Sequence, residues 1–366
     1  APLLKSVPGL DALIIPENAG VANAVGASFA EAGGEVDSVY SLEGKTLGEV
    51  LEEAKHLAVA RAIESGELPI DVAFIATPAA TKTGDGNGID GKSACGALGY
   101  AIADLIHAKH KVLITDHITE KLSRIDLDGS YVDYVILVDS IGDQKGIVSG
   151  TTRPTKDPVQ LKIAKDTVRL MDALNLIQDG MSFQTGAGGT SIAVADLLKH
   201  RMIEKNIKGS FASGGITSYL VDMQKNGLFE TLYDVQCFDL DAIESYRNNP
   251  NHKPMSASMY ANPCVPDHIA SKLDVVILGA TEIDLDFNVN VTTDSSGYLM
   301  GGSGGHSDTA KGAKVTIVTT NLIKSRTNII KPTLTTVTTP GSSIDILVTE
   351  RGIAINPRRN DLLNRL

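Results

Sequence analysis

Short apolar runs punctuate this chain at residues 72–76, 112–115, 135–138, 275–278, 315–318 and 344–348. Each contains β-branched residues and most are bounded by Asp, Gly or Lys, which is how buried strands of a parallel sheet read. Helical periodicity fills much of the space between them. Over residues 191–203, Ile192, Val194, Ala195, Leu198 and Met202 fall largely along one face, and residues 162–176 repeat the pattern with Ile163, Val168, Leu170, Met171 and Leu174. Strands alternating with helices predict an α/β fold with mainly parallel sheets.

The polar positions carry a second pattern. A glycine-rich stretch occurs twice, once in IDVAFIATPAATKTGDGNGIDGKSACGALGYAIADLIHAKHKVLIT and again in LDVVILGATEIDLDFNVNVTTDSSGYLMGGSGGHSDTAKGAKVTIV. Asp71 and Asp274 open one apolar run in each copy, and Lys111 and Lys314 open the next, 40 residues on in both cases. Asn87 and Asn290 share the 203-residue offset of the aspartates. This spacing predicts a duplication, with a site built between two related halves. The polar segment GTTRPTKDP places the boundary near 160, giving domains 1–160 and 161–366. Counted from that boundary, the first domain is short at its start by roughly one strand–helix unit.

Composition narrows the partners. A net charge of -11, 4% aromatic residues and no Trp disfavour phosphate-backbone contacts and base stacking, so no nucleic acid is expected. No apolar run reaches the roughly 18 residues of a membrane span, and APLLKSVPGLDALIIPENAG lacks the pattern of a signal peptide. Cys95, Cys237 and Cys264 show no zinc-type spacing and read as reduced thiols. The expectation is a cytoplasmic protein with no metal and no membrane partner.

Several segments could carry chemistry, and each has a plainer alternative. FQTGAGGTS enters a helix, so the amides around Gly188 and Gly189 suit an anion, or merely close a tight turn. FASGGIT offers Ser213, Gly214 and Gly215 at a strand end, where a ligand or simply another backbone could approach. In TEIDLDFNVN, Glu282 and Asp284 share a face if the segment is extended, and form either an acid–base pair or a solvated strand end. GGSGGHSDT presents Gly304, Gly305 and His306. Adjacent Ser, His and Asp are weak grounds for a triad, whose members rarely neighbour one another in sequence. Arg326 and the basic tail beginning at Arg351 could offset an anionic substrate or be solvated. A dinucleotide-binding oxidoreductase is disfavoured by the glycine spacing.

In order along the chain, GELPIDVAFIATP, GNG, GKSACGALGYA, MSFQTGAGGTSIAVA, FASGGIT, DVQCFD, NNPNH, FNVNV, GGSGGHSDTA and TTPGSSIDILVTERGIAINP resemble the citrate lyase α chains of the CoA-transferase superfamily. The resemblance implies two similar CoA-transferase-like domains with the active site between the halves. It also implies a transferase that exchanges acetate for citrate on an acetyl thioester. The co-substrate would be acetyl-CoA or the CoA-like arm of an acyl carrier protein, with no cofactor bound covalently to this chain. The implied partners are the citrate lyase β (lyase) and γ (acyl carrier) subunits in an oligomeric complex.

The wider superfamily carries a catalytic Glu in a Ser-Glu-Asn-Gly turn, whereas the aligned place here reads Ser213-Gly214-Gly215. Direct transfer through a mixed anhydride is therefore expected, with Gly188, Gly189, Gly214, Gly215, Gly304 and Gly305 supplying amides to oxyanions. Ser213, Asn290 and His306 would bind substrate, Arg326 and Arg351 would offset its charge, and Glu282 is the fallback nucleophile. An RGRIP stretch usual in the family stands here as KSRTN. The alternatives are an acetate or malonate CoA or acyl-carrier transferase of the same fold, and a non-catalytic scaffold subunit.

Overall fold

The computed structural model describes residues 70–147, 153–263, 265, 267–324 and 326–365. The expected shortfall before Asp71, part of the 150–158 linker and Cys264 lie outside the described residues.

The first sheet comes from strand β1 (Val72–Ala76), the short hairpin β2 (Ala79–Ala80) and β3 (Gly86–Asn87), helix α1 (Ala101–His107), and strands β4 (His110–Thr115) and β5 (Tyr134–Leu137). Strands β1, β4 and β5 are parallel neighbours in that order.

The remaining elements begin with α2 (Pro158–Ala173), β6 (Ser182–Thr185), α3 (Gly189–Lys205), β7 (Gly209–Ile216), α4 (Ser218–Lys225), β8 (Phe229–Cys237), α5 (Leu240–Asn248), β9 (His252–Pro254) and α6 (Ala257–Ala261). They continue with β10 (Val275–Gly279), the hairpin β11 (Glu282–Asp284) and β12 (Val289–Asn290), α7 (His306–Gly312) and β13 (Val315–Thr319). The chain closes through β14 (Ile323–Lys324), β15 (Thr327–Asn328), β16 (Ile330–Lys331), β17 (Ile346–Thr349), β18 (Gly352–Ile355) and α8 (Asn360–Leu363).

Eight of these strands form one sheet in the order β18-β17-β13-β10-β6-β7-β8-β9. All neighbours are parallel except the β17–β18 edge hairpin. Its centre is dry: every residue of β6, β13 and β17 is buried, as in a sheet covered on both faces. Local signals fix the helices. Asp157 caps α2 by accepting the Val159 amide, Pro158 sits in the first turn, and α3 ends on left-handed Asn206. Asp239 serves two helices, accepting from Ala242 in α5 and from Ser218 in α4.

The duplication is present, with one correction to its register. Both hairpins pair identically, Ala79 with Asn87 and Glu282 with Asn290, so the 203-residue offset holds through them. It does not extend to Lys111 and Lys314. Val72 pairs with His110 and Val275 with Val315, so the connection between strands is two residues longer in the second copy. The counterpart of Lys314, which binds Asp274, is Lys109, which binds Asp71. Lys111 matches Thr316: each donates its amide to a strand-end aspartate, Asp133 or Asp345. A shared lysine at equal spacing had masked the insertion.

The copies also differ in cover. Val72, Phe74, Tyr134 and Ile136 are exposed, whereas their counterparts Val275, Ile277, Ile346 and Val348 are buried under helices including α2 and α3. Residues 292–302 belong to a separate compact unit and form a turn, in which the Asp294 carboxylate accepts the amides of Ser296 and Tyr298. No described helix is long and apolar enough to cross a membrane.

Candidate active site at the strand ends

The order of the large sheet reverses beside β6. From there the chain builds outward through β7, β8 and β9 on one side, and through β10, β13 and β17 on the other. In open α/β sheets such a switch point leaves a crevice beyond the carboxyl ends of the strands, where ligands bind. Gly186 and Gly188 follow β6, and Gly279 ends β10. The predicted glycine motifs therefore gather around one feature of the topology.

Two buried side chains join them. Gln184, on β6, accepts from the Ser213 hydroxyl at 3.1 Å and donates to the Tyr260 hydroxyl at 2.6 Å. A Cβ on Gly214 would sit 3.1 Å from Gln184, and one on Gly305 would sit 2.5 Å from the Tyr260 ring. Ser213, Gly214 and Gly305 thus converge on Gln184 and Tyr260. Tyr100 reaches the same place from the first copy. Its hydroxyl lies 3.7 Å from where a Cβ on Gly304 would stand. Burial raises the Tyr100 phenol above its ordinary pKa, so the phenol stays protonated through neutral pH.

The second copy's hairpin forms the next group. Glu282 is buried, with one carboxylate oxygen 3.3 Å from the Lys331 ammonium and the other accepting from the Asn290 amide at 3.2 Å. Asp284 accepts the amides of Asp286 and Asn288 at the hairpin turn. His306 begins α7 and is spent inside the fold. One ring nitrogen faces the Gly279 carbonyl at 2.9 Å, so that nitrogen carries the proton, and the other accepts from Thr339 at 2.7 Å. The ring thus ties the glycine loop to the end of β10 and has no N–H left for a substrate.

Burial holds the His306 pKa below its ordinary value, partly offset by the Gly279 carbonyl. A depressed pKa means that the unfolded chain takes up the proton first. This contribution to stability is therefore complete above the ordinary value of 6.5 and is lost as pH falls through the folded value. Unfolding free energy is expected to fall between pH 7.5 and 5.5, by up to about 1.4 kcal/mol per pH unit below 6.5. His306→Gln should flatten that slope in urea titrations at the two pH values, and an unchanged slope would place its origin elsewhere.

The other predicted residues are more dispersed. Gly188 is the N-cap of α3 with open space where a Cβ would be, and the Gly189 carbonyl accepts the Thr155 amide. Gly215 lies within the β7–β8 ladder against the Phe238 ring, where a Cβ would come to 1.7 Å, so close packing accounts for this glycine. Arg326 stands exposed in the β14–β15 turn with φ of 66°, and Arg351 stands exposed in the β17–β18 turn. Neither is joined to the Gln184–Tyr260 group by a described contact.

Sequence reasoning missed Tyr100, Gln184, Tyr260 and Lys331. Gln184 had a signal, being a long polar residue inside a buried run; Tyr260 and Lys331 had none. Of the described cysteines, Cys95 and Cys237 are both free, and burial pushes the Cys95 thiol up to about 11, which keeps Cys95 protonated at neutral pH. Among the described residues, Asp234, Cys237 and His252 form the one cluster with metal-ligand geometry. Their atoms already satisfy one another, with the thiol 2.8 Å and the imidazole 3.1 Å from the same Asp234 oxygen.

Comparison with known proteins decides the family. The profile of "Citrate lyase, alpha subunit (CitF)" matches residues 21–366. The chain belongs to the citrate lyase alpha subunit family. It is 45% identical to the citrate lyase alpha chain of Klebsiella pneumoniae over 305 residues, covering 83% of this chain and 60% of that one. With the Escherichia coli alpha chain it shares 42% over 321 residues, covering 87% and 63%. The chain thus spans about three fifths of these citrate lyase relatives. A putative citrate lyase alpha subunit of Streptococcus mutans, solved in complex with citrate, superposes with a TM-score of 0.79 at 42% identity, covering 82% of this chain and 59% of that one. A Pseudomonas malonate decarboxylase hetero-tetramer, at 14% identity and a TM-score of 0.61, shares the fold; the match covers 81% of this chain and 61% of that chain.

Proposed function

We propose that the chain exchanges acetate for citrate on an acetyl thioester. The observation that carries this reading is the family match over residues 21–366, together with the citrate complex of the 42% identical S. mutans relative. A citrate carboxylate attacks the acetyl carbonyl of acetyl-CoA or of an acetylated carrier arm. The tetrahedral oxyanion collapses to acetyl–citryl anhydride and expels the thiolate. The thiolate then attacks the citryl carbonyl, giving a citryl thioester and acetate. Nothing is oxidised, and the acyl group only changes partner.

The chain's own contribution is placement and charge stabilisation. Ser213-Gly214-Gly215 brings no carboxylate to the Gln184–Tyr260 group, which favours direct transfer over an acyl-enzyme. The amide at Gly304, beside the Tyr100 hydroxyl, is one donor in this reading, and each such donor lowers the barrier by roughly 3 kcal/mol. Gly188 and Gly189 offer a second set of amides at the start of α3. Glu282 remains the alternative nucleophile, held in place by Lys331 and Asn290. Arg326 and Arg351 offset substrate charge in this reading only if citrate reaches the exposed turns. The division into domains 1–160 and 161–366, the β and γ subunits of citrate lyase as partners, and a cytoplasmic setting belong to the same reading.

The test is incubation with acetyl-CoA and citrate, with citryl-CoA and acetate quantified by mass spectrometry and hydroxylamine added to trap any acyl-enzyme. Stoichiometric citryl-CoA and acetate are expected, without a hydroxamate at Glu282. Exchange with acetate or malonate but not citrate would move the chain to another acid. No exchange with any acid, even when the acetyl group is carried by an acyl carrier protein, would leave a scaffold role.

A further inference from the structure

Gly99 fixes the approach of α1 to the glycine loop. Its amide donates to the Val235 carbonyl at 3.1 Å, and its carbonyl accepts the Ala257 amide at 3.0 Å. The adjacent Tyr100 is thereby held between two elements of the second copy, 41% exposed and with its hydroxyl beside Gly304. Two other tyrosines near the strand ends differ in kind. Tyr260 is buried and spent on Gln184, and Tyr246 is buried beneath the Arg124 guanidinium. Tyr100 alone of the three combines solvent access with contact to the loop whose amides are offered to the substrate.

A phenol carries one O–H donor that a substrate oxygen can accept. The Tyr100 hydroxyl stands beside Gly304, and its O–H can rotate toward a substrate oxygen held at the glycine loop. We propose that Tyr100 is a catalytic residue whose hydroxyl donates to the carbonyl oxygen of the acyl group as it becomes an oxyanion. The first copy thereby contributes one donor to a site otherwise built from the second. This proposal rests on the acyl-exchange reading. Its ligand class is a carboxylic thioester or mixed anhydride, whose carbonyl oxygen gains charge in each attack.

Because the donor matters most in the transition state, its loss falls on kcat. In the acetyl-CoA and citrate assay, Tyr100→Phe is expected to lower kcat by about 100-fold, with KM for citrate within about twofold. The thermal midpoint should stay near that of the parent, since only a part-exposed hydroxyl is removed. A kcat within about threefold of the parent would overturn the proposal while leaving the exchange reading intact. So would a change confined to KM, or a kcat loss matched by a lost circular-dichroism signal at the assay temperature. A parent chain with no exchange activity would instead sink the exchange reading, and Tyr100 with it.

Discussion

Asp234→Ala is expected to cost about 4 kcal/mol of unfolding free energy. Asp234 is fully buried and accepts from four donors: the Cys237 thiol, the His252 imidazole, and the amides of Gln236 and Ile216. These belong to β7, β8 and β9, so one carboxylate joins three neighbouring strands. Removing it strands several buried donors at once, and each unsatisfied group costs about 1–3 kcal/mol. Asp234→Asn keeps the volume but turns an N–H₂ toward donors, and should recover less than half of the loss. Urea denaturation at pH 7.5 checks both. A cost under about 1 kcal/mol for the alanine variant would mean that water satisfies those donors and that the strands do not depend on the carboxylate.

Gly99→Ala should cost about 3 kcal/mol and lower exchange activity as well. A Cβ there would stand 2.1 Å from the Met255 carbonyl and 2.9 Å from the Val235 carbonyl. Both are backbone atoms, so no rotamer change relieves the clash. Relief requires α1 to lift away from β8 and α6, and Tyr100 lifts with it. Gly352→Ala is the matched control, because no atom lies within 4 Å of its Cβ position, and it should change stability by no more than about 0.5 kcal/mol. Denaturation and exchange assays on the two variants form one experiment. Full activity in a destabilised Gly99→Ala protein would show that the loop site does not need Tyr100 held in place.

The strands were legible because a parallel sheet buries both faces and therefore writes continuous β-branched runs such as 275–278 and 315–318. The duplication was legible for a related reason, since each copy opens on an aspartate that pairs with a lysine just before the next strand. What misled was Lys111. Register is set by backbone ladders, and two lysines stand near the start of β4, at 109 and 111. Only Lys109 carries the ion pair. The site was legible where backbone conformation dictates the residue, as at Gly214, with φ of 106°, and Gly304, with φ of 54°. It was illegible where a side chain arrives from far along the chain. Tyr260 meets Gln184 across 76 positions, and no local pattern encodes that pairing. His306 was legible as a loop residue, but its two hydrogen bonds to Gly279 and Thr339 turn a candidate substrate donor into a brace.

The repeated hairpin carries an internal control written by the molecule itself. Ala79 and Glu282 occupy the same rung opposite the same asparagine, and both backbones close alike. A methyl group suffices to build that rung, so the second copy does not keep an acid there to make its turn. In the first copy the asparagine is bound instead to Asp90 and to the Arg124 carbonyl, and it serves as a strut. The same rung carries a buried acid in one copy and a methyl group in the other. Glu282 is thus not required to close its hairpin, and in the second copy it adds a tie from that rung to Lys331 on β16.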